Sequence, residues 1–279
     1  MNKYISLSSF AKINIHLGIL RKKKSDYHEI ETYVSFISLC DKILIKKINQ
    51  QNHVVKFLGN FSKNIKKKNS ITNLLEILDK DYLLKDKFKI MVYKSIPTEA
   101  GLGGGSTNAA VILNFLIKKK IIKLNKTNIK YICDEIGSDV VLGLNFKNKI
   151  LIKGKKLFNI KSKNKFHLVL IKPNFGCKTS EIYKNNKIYS KPVLKKTKFN
   201  LNQMTHFTND LEKSAFSIYP KLNFIKNDLS NLPNILFARM TGSGSTIIGY
   251  FLRKKDAYNG TKLLKKKYKK YWCVQSKTI

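Results

Sequence analysis

The sequence predicts an α+β protein of two domains, 1–160 and 161–279. Three observations predict it. Strand-like and helix-like stretches alternate through the first half. A Lys- and Asn-rich stretch at residues 161–165 has the composition of a hinge. The 279 residues are 43% hydrophobic and 11% aromatic, enough for one large or two ordinary packed cores and too apolar for wholesale disorder.

Taken in order, residues 4–20 mix β-branched and aromatic residues with polar ones, as a long strand or strand pair does. Residues 33–48 repeat this, with Val34, Phe36, Ile43 and Ile45 as inward positions. A short strand at 89–94 is stopped by Pro97. A glycine cluster follows, and then a helix whose Ala109, Ala110, Leu113, Leu116 and Ile117 share one face. Past the hinge, 166–171 reads as a buried strand ended by Pro173, and 209–225 as a helix interrupted near Pro220. Residues 235–239 and 247–252 form a hairpin about the glycines Gly242 and Gly244, and 256–267 is a closing helix.

Lys and Arg number 55 against 17 Asp and Glu, a net charge of +38. A polyanion partner is the obvious reading of such a charge. The cations are nearly all lysine, however, with arginine only at Arg21, Arg239 and Arg253, and they are scattered from end to end. Sequence-reading nucleic-acid sites rely on the bidentate arginine fork. Enrichment in Lys, Asn, Ile, Tyr and Phe together matches a drift toward A/T-rich codons. Cys40, Cys133, Cys177 and Cys273 lie far apart, without metal-ligand spacing, and suit a reducing compartment. No apolar run is long enough to span a bilayer. The expectation is a soluble cytoplasmic protein with neither a membrane nor a nucleic-acid partner.

The segment Pro97-Thr98-Glu99-Ala100-Gly101-Leu102-Gly103-Gly104-Gly105-Ser106-Thr107 carries the most chemistry. Strand, glycine loop, helix is a phosphate-binding layout: glycines let backbone close on an anion, and the helix start offers free N–H groups and a positive dipole end. Ser106 and Thr107 add hydroxyls. The loop lacks the lysine of a Walker A sequence and the sixth-position glycine of a dinucleotide fingerprint. A plain flexible turn is the alternative, disfavoured by the entropy of three consecutive glycines.

Pro-x-x-x-Gly-Leu-Gly-Gly-Gly-Ser-[Ser/Thr]-Asn-Ala-Ala resembles the phosphate loop of the GHMP kinases. The triple glycine is most similar to the branch whose alcohol substrate carries a cytidine diphosphate. Further segments agree in order: Ser9-Phe10-Ala11-Lys12-Ile13-Asn14, Tyr27-His28-Glu29-Ile30, Gly137-Ser138-Asp139-Val140, and Met240-Thr241-Gly242-Ser243-Gly244. The resemblance runs from residue 9 to 251. It implies a ribosomal-protein-S5-like N-terminal domain and a ferredoxin-like C-terminal domain.

It also implies an ATP-dependent kinase, with ATP as co-substrate and Mg2+ accompanying the nucleotide. The implied acceptor is a small molecule, a cytidine diphosphate-linked methylerythritol, phosphorylated at its 2-hydroxyl in isoprenoid precursor synthesis. Relatives are monomers or weak homodimers. On this resemblance Lys12 and Asp139 are the catalytic pair and residues 97–107 bind nucleotide. Asn14, Tyr27, His28, Thr179 and Tyr183 bind substrate, the Tyr27-His28 element and Tyr183 framing the cytosine.

Read without the family, Asp139 is a turn or cap residue, Thr179 an N-cap, Tyr183 a half-buried helix residue, and Gly242 to Gly244 a simple hairpin turn. Phe10 for Pro, Ser25-Asp26 for Asp-Gly, Val141 for Pro and the basic Lys155 depart from the branch. Two alternatives stand beside this reading: another GHMP kinase with a small alcohol, and a basic nucleic-acid-binding protein on a kinase scaffold. The base-stacking Tyr27-His28 element argues against the first, and the retained Lys12 and Asp139 against the second.

Overall fold

The computed structural model describes residues 3–22, 28–81, 83–152, 156–160, 164–194 and 198–279. In chain order these form strands β1 (Ile5–Lys22), β2 (His28–Ile48) and β3 (Val54–Leu58), helix α1 (Ser70–Lys80) and strand β4 (Lys87–Tyr93). Helices α2 (Gly104–Lys118), α3 (Lys126–Ile136) and α4 (Val140–Gly143) follow, then strands β5 (Lys149–Ile152), β6 (Lys156–Asn159) and β7 (His167–Lys172). Helices α5 (Thr179–Lys184), α6 (Leu201–Thr205), α7 (Leu211–Ile218) and α8 (Lys221–Ser230) precede strands β8 (Phe237–Met240) and β9 (Ile247–Phe251). Helix α9 (Lys254–Lys267) and strand β10 (Trp272–Lys277) complete the order.

By packing, the chain forms two units. The first comprises Met1–Lys12, Leu39–Thr98 and Gly103–Phe146, and the second Ile13–Ser38, Glu99–Leu102 and Lys147–Ile279. A cut near residue 160 follows chain order, whereas these units follow contacts, so β1 and β2 contribute residues to both. Of the 161–165 hinge, residues 161–163 lie outside the described residues.

In the first unit β2 runs antiparallel to β4, pairing Ile43 with Val92 and Ile45 with Ile90, and β3 joins β4 in parallel. Alternate residues of these strands face α1 and α2, giving a core of Ile43, Ile45, Leu74, Leu78, Ile90, Val92, Ile112, Leu113 and Leu116. Helix α1 begins at a capping box in which Asn69 and Thr72 satisfy each other's backbone amides. Helix α2 is apolar on most sides, and Ala109 through Leu113 are all buried, so it sits inside the unit.

His53 shows how tightly this unit is wired. Its Nδ1 accepts the Phe88 amide at 3.0 Å and its Nε2 faces Asp79 at 3.3 Å, a pattern that needs the neutral ring. Burial lowers the His53 pKa, against an upward pull from Asp79. The unfolded chain therefore binds a proton that the folded unit resists. The stability this supplies is complete above the unfolded value of about 6.5 and declines as pH falls toward the lower folded value. A smaller loss of melting temperature between about pH 7.5 and about pH 5.5 is expected in His53→Gln than in the parent. Equal losses in both proteins would assign the acid sensitivity to other groups.

The second unit holds a four-stranded antiparallel sheet in the order β10-β7-β9-β8. Strand β7 is central and buried, with Val169, Leu170 and Ile171 paired to β9 on one side and β10 on the other. Helix α9 turns Ala257, Gly260, Thr261 and Leu264 inward and its lysines outward. The helix expected over 209–225 is two helices: Pro220 lacks an amide donor and sits at the N-cap of α8, where none is needed. The hairpin is β8–β9, closed by the pair Met240 and Ile247. The first half of β2 pairs with β5, and β5 with β6. Among the described residues no helix is long and apolar enough to cross a membrane.

Candidate active site

Backbone geometry explains why the loop is glycine-rich. Gly103 is the N-cap of α2 with φ of 67°, and a Cβ there would stand 2.6 Å from Lys12 Cγ. Any side chain would be both strained and in collision with the lysine stem. The α2 start therefore leaves its first amides unobstructed by a capping side chain, the arrangement that favours an anion. Thr107 is buried, and its hydroxyl accepts from Ser9 at 3.2 Å and points at the Gly103 and Gly104 carbonyls at 3.1 and 3.2 Å. Its hydroxyl is spent on the helix, which leaves the partly exposed Ser106 as the hydroxyl open to a ligand.

Beside Gly103, in the same unit, Lys12 Nζ lies 3.1 Å from Asp139 Oδ2. The Lys12 side chain is 7% exposed and that of Asp139 is 42% exposed. The cation is thus held in place while the carboxylate faces outward. Asp139 occupies the N-cap of α4 yet caps nothing with its side chain, so its oxygens remain free of a helix-starting role. The two departures nearest this pair are absorbed by packing: the Phe10 ring meets Phe146 edge-on at 4.9 Å, and Val141 rests on the apolar core.

The second unit gathers most of the predicted substrate residues. The His28 and Tyr183 rings are 5.3 Å apart at 49°. Thr179 is the first residue of α5, not its N-cap, and its hydroxyl is 2.9 Å from that of Ser243. Asn14 is buried; its backbone N–H donates to the Thr241 hydroxyl at 3.0 Å, and its side-chain Nδ2 donates to the Thr32 hydroxyl at 2.8 Å. Tyr27, Ser25, Asp26 and Lys155 lie outside the described residues.

The glycine turn after β8 is more than a hairpin end. A Cβ on Gly101 would fall 2.0 Å from the Thr241 carbonyl oxygen, and Thr241 donates to the Gly101 carbonyl at 3.2 Å. Glu99, at φ of 48°, lays its side chain where a Cβ on Gly176 would be, 2.4 Å away. Lys172 donates to the Phe175 and Pro173 carbonyls at 2.8 and 3.1 Å, and burial lowers its pKa. Sequence reasoning missed two supports of this turn. Asn209 donates to the Met240 and Gly242 carbonyls, both at 2.8 Å, and the buried Arg239 donates to the Ile15 carbonyl at 2.5 Å. An Asn two residues before a helix is too common a feature to have marked it.

These features can be compared with known proteins. The model "GHMP kinases N terminal domain" matches residues 69–145, and "GHMP kinases C terminal" matches 196–270. The 4-diphosphocytidyl-2-C-methyl-D-erythritol kinase of Pelagibacter ubique (strain HTCC1062) is 47% identical over the whole of both chains. This chain belongs to the 4-diphosphocytidyl-2-C-methyl-D-erythritol kinase family, within the GHMP kinases. Another member, from Clostridioides difficile (strain 630), is 30% identical over 98% of this chain and 95% of its own.

Solved structures agree on the fold. The crystal structure of a 4-(cytidine 5'-diphospho)-2C-methyl-D-erythritol kinase superimposes with a TM-score of 0.79 at 20% identity, covering 98% of this chain and 99% of the other. Homoserine kinase from Cytophaga hutchinsonii gives 0.70 at 11% identity, covering 100% and 95%. As a kinase of this family, the chain places the glycine loop and Asp139 inside the first matched stretch and the Gly242 turn inside the second. Lys12 precedes both.

Proposed function

We propose that this kinase transfers the γ-phosphoryl group of ATP to the 2-hydroxyl of 4-diphosphocytidyl-2-C-methyl-D-erythritol, a cytoplasmic step of the non-mevalonate route to isoprenoid precursors. The observation that carries the reading is the Lys12–Asp139 pair, 3.1 Å apart, with Gly103 packed on the lysine stem at the start of α2.

Phosphoryl transfer asks a protein mainly for positioning and for neutralisation of charge. The first amides of α2 and the Ser106 hydroxyl hold the β- and γ-phosphates. Asp139 accepts the proton of the 2-hydroxyl as its oxygen bonds to the γ-phosphorus, and the bond to the bridging oxygen breaks to release ADP. Lys12 stabilises the alkoxide character that develops on the attacking oxygen.

Magnesium enters with the nucleotide. Among the described residues no group of three or more His, Cys, Asp or Glu could hold a metal ion, so Asp139 and Ser106 would hold it only together with the phosphates. When bound it neutralises phosphate charge. At the cytidine end, His28 hydrogen-bonds the base edge while Tyr27 and Tyr183 flank its face, with Thr179 beside them. Asn14 follows Lys12 by two positions on β1, the interval at which strand side chains repeat their face, and serves the substrate hydroxyls. Residues 1–160 and 161–279 are the two family domains on this reading, since the matched stretches 69–145 and 196–270 fall one on each side.

The test is ATP turnover with the cytidyl alcohol beside mevalonate and homoserine. Turnover is expected with the first alone. Turnover of either small alcohol without the cytidyl substrate would replace this reading by the small-alcohol one.

A further inference from the structure

One carboxylate outside the reacting pair touches both ends of the glycine loop. Asp41, on β2, is 0% exposed, and all its donors lie in the first unit. Its Oδ1 accepts the Ser95 and Ile96 amides, each at 2.8 Å. Its Oδ2 accepts the Lys94 ammonium and the Asn108 side-chain amide, the latter at 3.1 Å. Lys94, Ser95 and Ile96 are the three residues before Pro97, where the loop begins. Asn108 is the fifth residue of α2, where the loop has ended.

Lys94 and Asn108 are buried with the carboxylate, at 5% and 1% exposed. A buried charge with fewer donors would be strongly destabilising, so the Asp41 carboxylate, with two donors on each oxygen, is an anchor, while the buried Asn108 Oδ1 has no hydrogen-bond partner among the described residues. It also touches the loop itself. A Cβ on Gly104 would stand 3.2 Å from Lys94 Nζ and 3.0 Å from Ile96 Cγ2, so the loop backbone rests on the residues that Asp41 holds.

We propose that Asp41 is a positioning residue for the nucleotide phosphates. Through Lys94 and the Ser95 and Ile96 amides it sets where the loop begins, and through Asn108 where α2 begins to carry it away. The separation of these two points fixes the direction of the α2 amides. The inference rests on the reading of residues 97–107 as the phosphate cradle.

Asp41→Asn keeps an acceptor for the two amides but removes the charge opposite Lys94. A phosphate cradle displaced by a fraction of an ångström to an ångström raises KM for ATP by roughly 10- to 100-fold. The KM for the alcohol is expected to stay as in the parent. A carboxylate that served stability alone would lower the melting temperature and leave the ratio of the two KM values unmoved.

Asn108→Ala, which deletes only the exit contact, is expected to raise KM for ATP in the same direction by a smaller factor. It decides the matter by the same criterion if Asp41→Asn does not fold. Parental turnover with unshifted ATP KM in the folded variants overturns the role of Asp41 alone. No turnover by the parent with the cytidyl alcohol overturns the cradle reading, and the role of Asp41 with it.

Discussion

Asp139→Asn is expected to lose kcat by roughly 10²- to 10⁴-fold, the span of a positioned general base, while ATP binds as it does to the parent. The substitution keeps the side-chain volume and an oxygen that Lys12 can still face at about its present 3.1 Å. What it removes is the negative, proton-accepting oxygen. Since α4 takes no hydrogen bond from this side chain, the change does not uncap a helix. The loss should therefore appear in kcat with little change in either KM, the signature of an interaction made only in the transition state. Nucleotide titration alongside steady-state kinetics checks it. Near-parental turnover would remove Asp139 from the base role.

Gly101→Ala is expected to cost about 3 kcal/mol or more of stability. Two penalties combine. At φ of 70° an alanine pays the left-handed penalty of roughly 1–2 kcal/mol. Its Cβ would also lie 2.0 Å from the Thr241 carbonyl oxygen, a backbone atom with no rotamer into which to retreat. Relief requires moving the turn that Asn209 and Thr241 pin in place, an overpacking cost of about 1–3 kcal/mol. Gly105→Ala is the contrast. Gly105 lies within α2 without a positive φ and meets only the Ser70 hydroxyl at 3.3 Å, so that variant should melt close to the parent. Denaturant unfolding of the pair checks the difference, and similar stabilities would refute the account of Gly101.

The glycine loop was legible in sequence because its requirements are local. A strand stopped by proline, glycines where φ must be positive, and an apolar helix are written in adjacent residues. So was the break at Pro220, which acts through a missing amide. Strand β10 was not legible, since it follows a lysine-dense run and gains its order from pairing with β7, about 100 residues earlier in the chain. The pairing of Lys12 with Asp139 was legible only through resemblance, because neither residue has a neighbour that marks it. Asp41 was not legible at all. Between Cys40 and Lys42 it reads as a solvated charge on a strand, and its role arises from donors more than 50 residues away.

The net charge of +38 takes its meaning from individual lysines. Lys12, Lys94 and Lys172 are buried and each is tied to a loop or to a carboxylate beside one, whereas the lysines of α9 point away from their helix's buried face. A field of that sign favours the approach of ATP and of a diphosphate-bearing alcohol, an effect that salt screens.

Phosphorus NMR of the product shows whether phosphate passes from ATP to the 2-hydroxyl. The 2-hydroxyl is on a carbon that bears a methyl group and no hydrogen. A phosphomonoester formed there gives a new resonance without three-bond proton splitting, beside the intact diphosphate signals of the cytidine end and those of ADP. A doublet or triplet phosphomonoester, from a secondary or primary hydroxyl, would contradict the account, as would inorganic phosphate as the sole new product.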